Sequence, residues 1–131
     1  MKKTFLFLPF ILTAFIISAC SVQATEKGEY KMISASEAKQ IIDTEKGYII
    51  LDVRTQEEYD EVHIKDALLI PDYEIQTRAE KELTDKNQQI LVYCRSGRRS
   101  AIAAKKLIDM GYTNVKDFGG IISWPYEIVT E

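Results

Sequence analysis

One short segment in the second half of the chain holds the side chains best suited to chemistry. Between Cys94 and Ser100 it contains a thiol, a glycine and three arginines. A cysteine thiolate is a strong nucleophile, and arginine forks bind oxyanions with two parallel hydrogen bonds. These residue types predict Cys94 as a nucleophile next to an anion site. The residues predicted to form that site are those of the following loop, Arg95, Ser96, Gly97, Arg98 and Arg99.

The elements around this segment indicate how Cys94 is positioned. An apolar run of strand length, residues 89–93, ends directly before Cys94, and a helix is predicted from Arg99 to Met110 with Gly111 as its stop. In open α/β sheets, ligands bind at the carboxyl ends of strands. A tight loop entering a helix directs backbone N–H groups inward, which favours an anion at its centre. That anion is the thiolate, a persulfide formed on it or a substrate oxyanion, and we expect a substantial thiolate fraction at neutral pH.

The rest of the chain predicts the α/β class. Two capping boxes, Ser34 to Glu37 and Thr55 to Glu58, predict helices over residues 35–44 and 56–62. Continuous rather than alternating apolar runs indicate strands that are covered on both faces, and therefore a parallel sheet with crossover helices. These strands are predicted over residues 48–53, 67–70, 89–93 and 114–118. A surface helix is predicted around residues 74–82, and a last helix is predicted to begin near Ile121.

The N-terminus has the pattern of a secretion signal. Lys2 and Lys3 precede an almost unbroken apolar run from Phe5 to Ile17, which is too short to span a membrane comfortably. The junction Ile17-Ser18-Ala19-Cys20 resembles the lipobox of bacterial lipoproteins, in which the cysteine is lipidated and becomes the new N-terminus. We therefore predict a signal peptide (residues 1–19), a lipidated N-terminus and tether (20–29) and one domain (30–131). An uncleaved anchor helix is the alternative interpretation.

Charge and cysteine content narrow the function further. Removing residues 1–19 takes two lysines and no acids from a chain with 17 basic and 20 acidic residues, so the net charge changes from −3 to −5. Such a domain has no electrostatic reason to bind nucleic acid, and we expect membrane attachment through acyl chains such as palmitate on Cys20. The protein would then be anchored to an extracytoplasmic membrane face. Because Cys20 and Cys94 are the only cysteines, lipidation leaves Cys94 as a free thiol. We expect a monomer that needs neither a metal nor a cofactor.

Several ordered motifs together resemble the rhodanese family, and the match extends from about Lys31 to Val129. The motifs are Leu51-Asp52-Val53-Arg54, Glu58-Tyr59, His63-Ile64, the segment from Tyr93 to Ser100, Met110-Gly111-Tyr112, and Gly119-Gly120-Ile121 through Trp124. The resemblance implies a five-stranded parallel sheet flanked by helices on both faces. It also implies a thiosulfate sulfurtransferase in which a Cys94 persulfide passes sulfur to cyanide or a thiol.

The resemblance carries further expectations for individual residues. Arg54 and Glu58 would form a structural ion pair, and His63 would be structural. The family usually has Gly-His-Ile-x-Gly-Ala around this histidine, whereas this chain has valine at position 62 and aspartate at position 66. The turn before the third strand is therefore expected to differ locally.

Two other functions compete with sulfur transfer to a small acceptor. Related cell-cycle phosphatases share the fold and also use a loop cysteine and arginine, but they place five residues between the two. Only four residues separate Cys94 from Arg99, which suits a sulfur atom on the thiolate better than a phosphate above it. The second alternative is a sulfur carrier or binding module that docks another envelope protein.

Overall fold

Residues 28–130 are described by the computed structural model, and their strands pair into one five-stranded sheet. All pairings are parallel, and the strand order is β1-β5-β4-β2-β3. The central strand is therefore β4, which ends at Cys94. The strands are β1 (Lys31–Met32), β2 (Tyr48–Asp52), β3 (Leu68–Leu69), β4 (Gln89–Cys94) and β5 (Val115–Gly120).

Four α-helices connect these strands, and the first two begin at the predicted capping boxes. The Ser34 hydroxyl accepts from the Glu37 backbone N–H at 3.1 Å, while the Glu37 carboxylate accepts from the Ser34 N–H at 2.7 Å. Thr55 and Glu58 make the same reciprocal pair. Each box satisfies backbone donors that a helix start would otherwise leave unpaired. The helices are α1 (Ala35–Thr44), α2 (Gln56–Glu61), α3 (Ile75–Glu82) and α4 (Arg98–Asp109).

The sheet is buried on both faces, as the continuous apolar runs predicted. On β4, Ile90, Val92 and Cys94 pack with buried residues of α3 and α4. Leu91 and Tyr93 point to the opposite face and pack with a cluster that includes Ala38 of α1. Alternate residues of one strand thus supply two cores. The predicted α/β class and the five-stranded parallel sheet are confirmed.

Two predictions about the chain termini differ from the structure. Strand β1 was not predicted, because its two residues are exposed and only pair with the sheet edge at Lys116 and Asp117. The helix expected near Ile121 is only a 3-10 turn over Ile121–Ser123. It stops because Pro125 follows Trp124, and the residue before a proline is disfavoured in helical conformation. Trp124 is extended, with φ −87° and ψ 108°.

The turn before β3 shows how the chain accommodates its departure from the family pattern. Asp66 stands where the family has glycine, and it has a positive φ of 63°. Aspartate tolerates this left-handed region better than most residues do. His63 is buried, its ring stacks on Tyr59 with centroids 3.8 Å apart, and its backbone pairs with Val129. These contacts are consistent with the expected structural role of this histidine.

The predicted signal peptide and the lipidation site at Cys20 lie outside the described residues. Within residues 28–130, none of the helices is long and apolar enough to cross a membrane.

Candidate active site

Cys94 lies where the central strand meets the loop into α4. It pairs with Gly120 of β5 after a register shift that begins at Val92. The residue is only 1% exposed, so its sulfur faces the interior of the loop rather than open solvent. The carboxyl end of the central strand is the edge at which α/β sheets bind ligands.

The backbone of Gly97 contacts the Cys94 sulfur directly. Its N–H donates to the sulfur, with a nitrogen-to-sulfur distance of 3.0 Å. Gly97 caps the N-terminus of α4 and has a φ of +105°, a conformation that residues with a side chain rarely adopt. Of the loop N–H groups expected to point inward, the Gly97 N–H is the one seen in contact with the sulfur among the described residues. Together with the helix N-terminus, this amide favours negative charge on the sulfur.

The end of β5 packs directly against the backbone of this loop. A Cβ atom on Gly120 would lie 2.6 Å from the Cα atom of Ser96 and would collide with the backbone of Arg95. The Ile122 N–H donates to the Arg95 carbonyl at 3.2 Å, which fastens the loop to the turn after β5. The sequence pattern assigned Gly119 and Gly120 no role beyond their place in the family motif. Their role here is to let two backbone segments approach each other closely.

Ser100 also contacts the sulfur, although it was not among the predicted site residues. Its hydroxyl lies 3.6 Å from the Cys94 sulfur, 3.0 Å from the Gly97 carbonyl and 3.3 Å from the Gly119 carbonyl. Ser100 is fully buried in the first turn of α4. Its position six residues after Cys94 could have identified it. A residue in the first turn of the helix after a short loop points back toward the end of the strand.

The three loop arginines do not behave alike. Arg95 and Arg98 are exposed, and the described residues offer neither of them an ion pair. Arg99 is partly buried and donates two hydrogen bonds of 2.8 Å to the Glu58 carboxylate. These bonds from Arg99, opposed in part by burial, lower the pKa of Glu58 to about 2. The positive charge still available at the loop is therefore that of Arg95 and Arg98.

The ion pair between Arg54 and Glu58 that the resemblance implied is wrong. Arg54 instead binds Asp52 with three contacts between 2.6 and 3.1 Å, and it donates to the Val62 carbonyl. Burial alone would lower the pKa of Arg54, but the hydrogen bonds and charge of Asp52 outweigh burial and raise it. The Tyr93 hydroxyl completes this buried group by donating to Asp52 at 2.6 Å. Both ion pairs are structural, with different partners from those expected.

A family model for the rhodanese-like domain matches residues 34–125. The chain belongs to the rhodanese family. The thiosulfate sulfurtransferase PspE of Escherichia coli strain K12 is 41% identical over 71 residues, which cover 54% of this chain and 68% of PspE. The putative sulfur carrier protein YrkF of Bacillus subtilis strain 168 is 39% identical over 83 residues, which cover 63% of this chain and 44% of YrkF.

A solved structure described as a rhodanese with anions from E. coli has the same fold. It matches this rhodanese domain with a TM-score of 0.61 and 36% identity, and the match covers 64% of this chain and 99% of that one. This structural similarity, together with the family match over residues 34–125, confirms the rhodanese fold. The sulfurtransferase relative supports sulfur transfer as the general chemistry of the domain.

The pair between Glu58 and Arg99 predicts a dependence of stability on pH. A folded pKa of about 2, below the ordinary 4.5, means that the stabilisation is complete above pH 4.5 and is lost as the pH falls toward 2. We expect Glu58→Gln to lower the free energy of unfolding by about 1 kcal/mol at pH 7, because the pair is partly screened by solvent. Denaturant unfolding between pH 7 and pH 2 measures the difference.

The matched control is Glu57→Gln, an exposed residue in the same first turn of α2. Glutamine at position 58 keeps the acceptor of the capping box, so that contact remains in the variant. We expect the stability difference between wild type and Glu58→Gln to shrink with falling pH and the control to show no such trend. A Glu58→Gln deficit that stays constant from pH 7 to pH 2 would contradict the assigned role of this ion pair.

Proposed function

We propose that this rhodanese is a thiosulfate-class sulfurtransferase that carries sulfur as a persulfide on Cys94. The observation that carries the proposal is the 3.0 Å contact between the Gly97 N–H and the Cys94 sulfur at the end of the central strand. An amide donor at a helix N-terminus stabilises a thiolate, and it can also stabilise the negative charge of a persulfide. The 41% identical relative PspE, a thiosulfate sulfurtransferase, supports the same donor class.

The reaction proceeds in two displacements. The Cys94 thiolate attacks the outer sulfur of thiosulfate, a sulfur–sulfur bond forms to Cys94, and the old sulfur–sulfur bond breaks with its electron pair leaving on sulfite. Cyanide or a thiolate then attacks the terminal persulfide sulfur and releases the Cys94 thiolate. Because Cys94 is 1% exposed, the exposed loop residues Arg95 and Ser96 must shift slightly to admit the donor.

Electrostatics supports a small dianion as the donor. Arg95 and Arg98 are exposed at the loop and are not paired with carboxylates of residues 28–130. Guanidinium groups bind sulfur oxyanions as they bind other oxyanions. The similar E. coli rhodanese of known structure holds anions, which fits an anion site in this family member. Glu58 holds Arg99, which therefore has fewer free donors for wrapping a phosphate, and this favours sulfur transfer over phosphatase chemistry.

A sulfur carrier is the second candidate, because the relative YrkF bears that description and this chain spans 44% of it. A carrier would accept sulfur on Cys94 but would hand it only to a protein partner. The two candidates therefore share the first displacement and differ in the second.

The first test of the proposed function is the loading of Cys94. After incubation with thiosulfate, we expect the intact mass of the purified protein to increase by one sulfur atom, and cyanide to remove that mass as thiocyanate. Cys94→Ser should abolish both results, because a serine hydroxyl forms no persulfide. Repeated turnover with cyanide or a small thiol supports the enzyme, whereas a single loading without turnover supports the carrier. Full activity in Cys94→Ser would reject Cys94 as the sulfur carrier.

The second test removes the positive charge of the two loop arginines that are not paired with a carboxylate. We expect Arg95→Ala and Arg98→Ala each to lower kcat/KM for thiosulfate by about tenfold or more, chiefly through KM, since a charge-assisted contact contributes about 1.5–3 kcal/mol. Lys81→Ala removes an equal charge from the exposed face of α3 and serves as the control. Steady-state kinetics at constant ionic strength measures the effect. An unchanged kcat/KM in both arginine variants would remove the anion clamp from the proposal.

We also propose that the protein is lipidated on Cys20 and anchored to an extracytoplasmic membrane face. The support is the lysine start, the short apolar run and the Ile17-Ser18-Ala19-Cys20 junction. We expect the intact mass of the protein from its native host to lack residues 1–19 and to carry acyl mass on Cys20. Cys20→Ala should lose both the acyl mass and the processing. A native protein that retains the leader, or an unmodified Cys20, would contradict the anchor without affecting the sulfur chemistry.

A further inference from the structure

A buried carboxyl group lies one strand away from the reactive cysteine. Asp117 of β5 pairs with Val92 of β4 and is 0% exposed. Its neighbour on the same face, Val115, packs in the same core as Cys94. Asp117 therefore lies on the α4 side of the sheet, the face that also holds Cys94. The mechanism above gives it no role.

The two oxygens of this carboxyl group differ in their surroundings. Oδ1 accepts from the Gly119 N–H at 2.9 Å, whereas Oδ2 is buried without a hydrogen-bond partner in the described part of the chain. Among residues 28–130, Asp117 also forms no ion pair with a lysine or arginine. A buried carboxylate is normally paired with a cation or fully hydrogen-bonded. This environment therefore favours a neutral carboxylic acid, which carries one O–H donor.

Burial and hydrogen bonding act on Asp117 in opposite directions. Burial raises its pKa, and it outweighs the Gly119 N–H and the Ser100 hydroxyl, which both lower it. Geometry links the two side chains through Gly119, whose carbonyl lies 3.3 Å from the Ser100 hydroxyl and whose N–H donates to Asp117. A carboxylic acid kept neutral by an apolar site can serve as a hydrogen-bond donor at neutral pH.

Ser100 contacts both the Cys94 sulfur and Gly119, the residue whose N–H binds the carboxyl group. Its hydroxyl oxygen lies 3.6 Å from the Cys94 sulfur and accepts a hydrogen bond from the thiol. The hydroxyl hydrogen can point to the Gly97 carbonyl or to the Gly119 carbonyl. A serine hydroxyl has one hydrogen and two lone pairs, and its hydrogen rotates to suit its neighbours. The same hydroxyl can thus accept from a thiol and donate to a thiolate.

We propose that Asp117 remains a neutral acid and positions Ser100, so that Ser100 donates a hydrogen bond to the Cys94 sulfur whenever that sulfur is a thiolate. In the thiol state the Ser100 hydrogen points to a backbone carbonyl. When the thiol proton leaves to water, the Ser100 hydrogen turns to the sulfur, and the Asp117 acid donates to the Ser100 oxygen. No covalent bond of Ser100 or Asp117 changes. Both are positioning residues.

This arrangement rests on the proposed function and adds to it. Cys94 is a thiolate twice in the cycle, once as the attacking group and once as the group released from the persulfide. A buried hydroxyl that donates only to the charged form favours both states. It supplies a second donor to the sulfur beside the Gly97 N–H. This donor belongs to α4, whereas Gly97 belongs to the loop before it.

The experiment measures the ionisation of Cys94 without any sulfur donor. The rate of alkylation by iodoacetamide is recorded against pH in the full protein, and the pH midpoint of reactivity is compared between variants. Arg95 and Arg98 lie in the loop or at the start of α4. The other charged groups near Cys94 are Arg99 on α4 with its partner Glu58 on α2, and Asp72, whose charge raises the pKa of Arg99. None of these groups is altered in the variants. Ser36→Ala, an exposed serine on α1, is the matched control.

Four substitutions, two at Ser100 and two at Asp117, test the role of each residue separately. We expect Ser100→Ala and Asp117→Leu to move the midpoint upward by about one pH unit, which is about a tenfold smaller ratio of thiolate to thiol at a given pH. Ser100→Thr keeps the hydroxyl and Asp117→Asn keeps an uncharged donor, so both should stay within about threefold of wild type in alkylation rate at pH 7. The double variant with Ser100→Ala and Asp117→Asn should match Ser100→Ala alone.

Two results would overturn the proposal. An unchanged midpoint in Ser100→Ala would show that the hydroxyl does not act on the sulfur. A large shift in Asp117→Asn would show that the carboxyl group acts as an ion rather than as a neutral donor. If Asp117→Leu fails to fold, the asparagine and the two serine variants still decide both points. Because alkylation needs neither thiosulfate nor an acceptor, a failure of sulfur transfer in the turnover assay is distinguished from a failure of this network.

Discussion

The close approach of β5 to the loop after β4 is the contact on which the site depends. Gly120 lies directly beneath Arg95 and Ser96, and a Cβ atom on Gly97 would come within 3.5 Å of the Gly119 Cα. With backbone against backbone, the loop can turn tightly enough for the Gly97 N–H to reach the Cys94 sulfur. A side chain at position 120 would lift the loop and break that geometry. The donor to the sulfur thus depends on residues that never touch it.

The charged residues divide between support of the fold and binding of substrate. Arg54 is held by Asp52, and it joins the end of β2 to the turn at Val62. Arg99 is held by Glu58, and this ion pair joins α4 to the start of α2. Both guanidinium groups therefore stabilise the elements that carry the loop. The charges left for an incoming dianion are those that face solvent, Arg95 and Arg98.

Two buried aspartates on the sheet show contrasting solutions for a carboxyl group in a core. Asp52 accepts from the Arg54 guanidinium and the Tyr93 hydroxyl, so its charge is matched and its oxygens are satisfied. Asp117 has a single amide donor on one oxygen, and its other oxygen has no partner among residues 28–130. A matched ion pair makes a rigid structural contact. An incompletely paired acid beside a reactive thiol is instead a group that can respond when the charge of that thiol changes.

Local patterns in the sequence determined much of this protein, because the interactions behind them join residues close in the chain. The capping boxes at Ser34 and Thr55, the left-handed glycine at position 97 and the strand–loop–helix around Cys94 are short-range features of this kind. The partners of the charged and polar side chains were decided only by the tertiary structure. Arg99 reaches Glu58 across 41 residues of sequence, and Ser100 reaches the Gly119 carbonyl across 19. Long side chains can reach several carboxylates, and only the packed sheet selects which carboxylate or carbonyl lies within hydrogen-bonding distance.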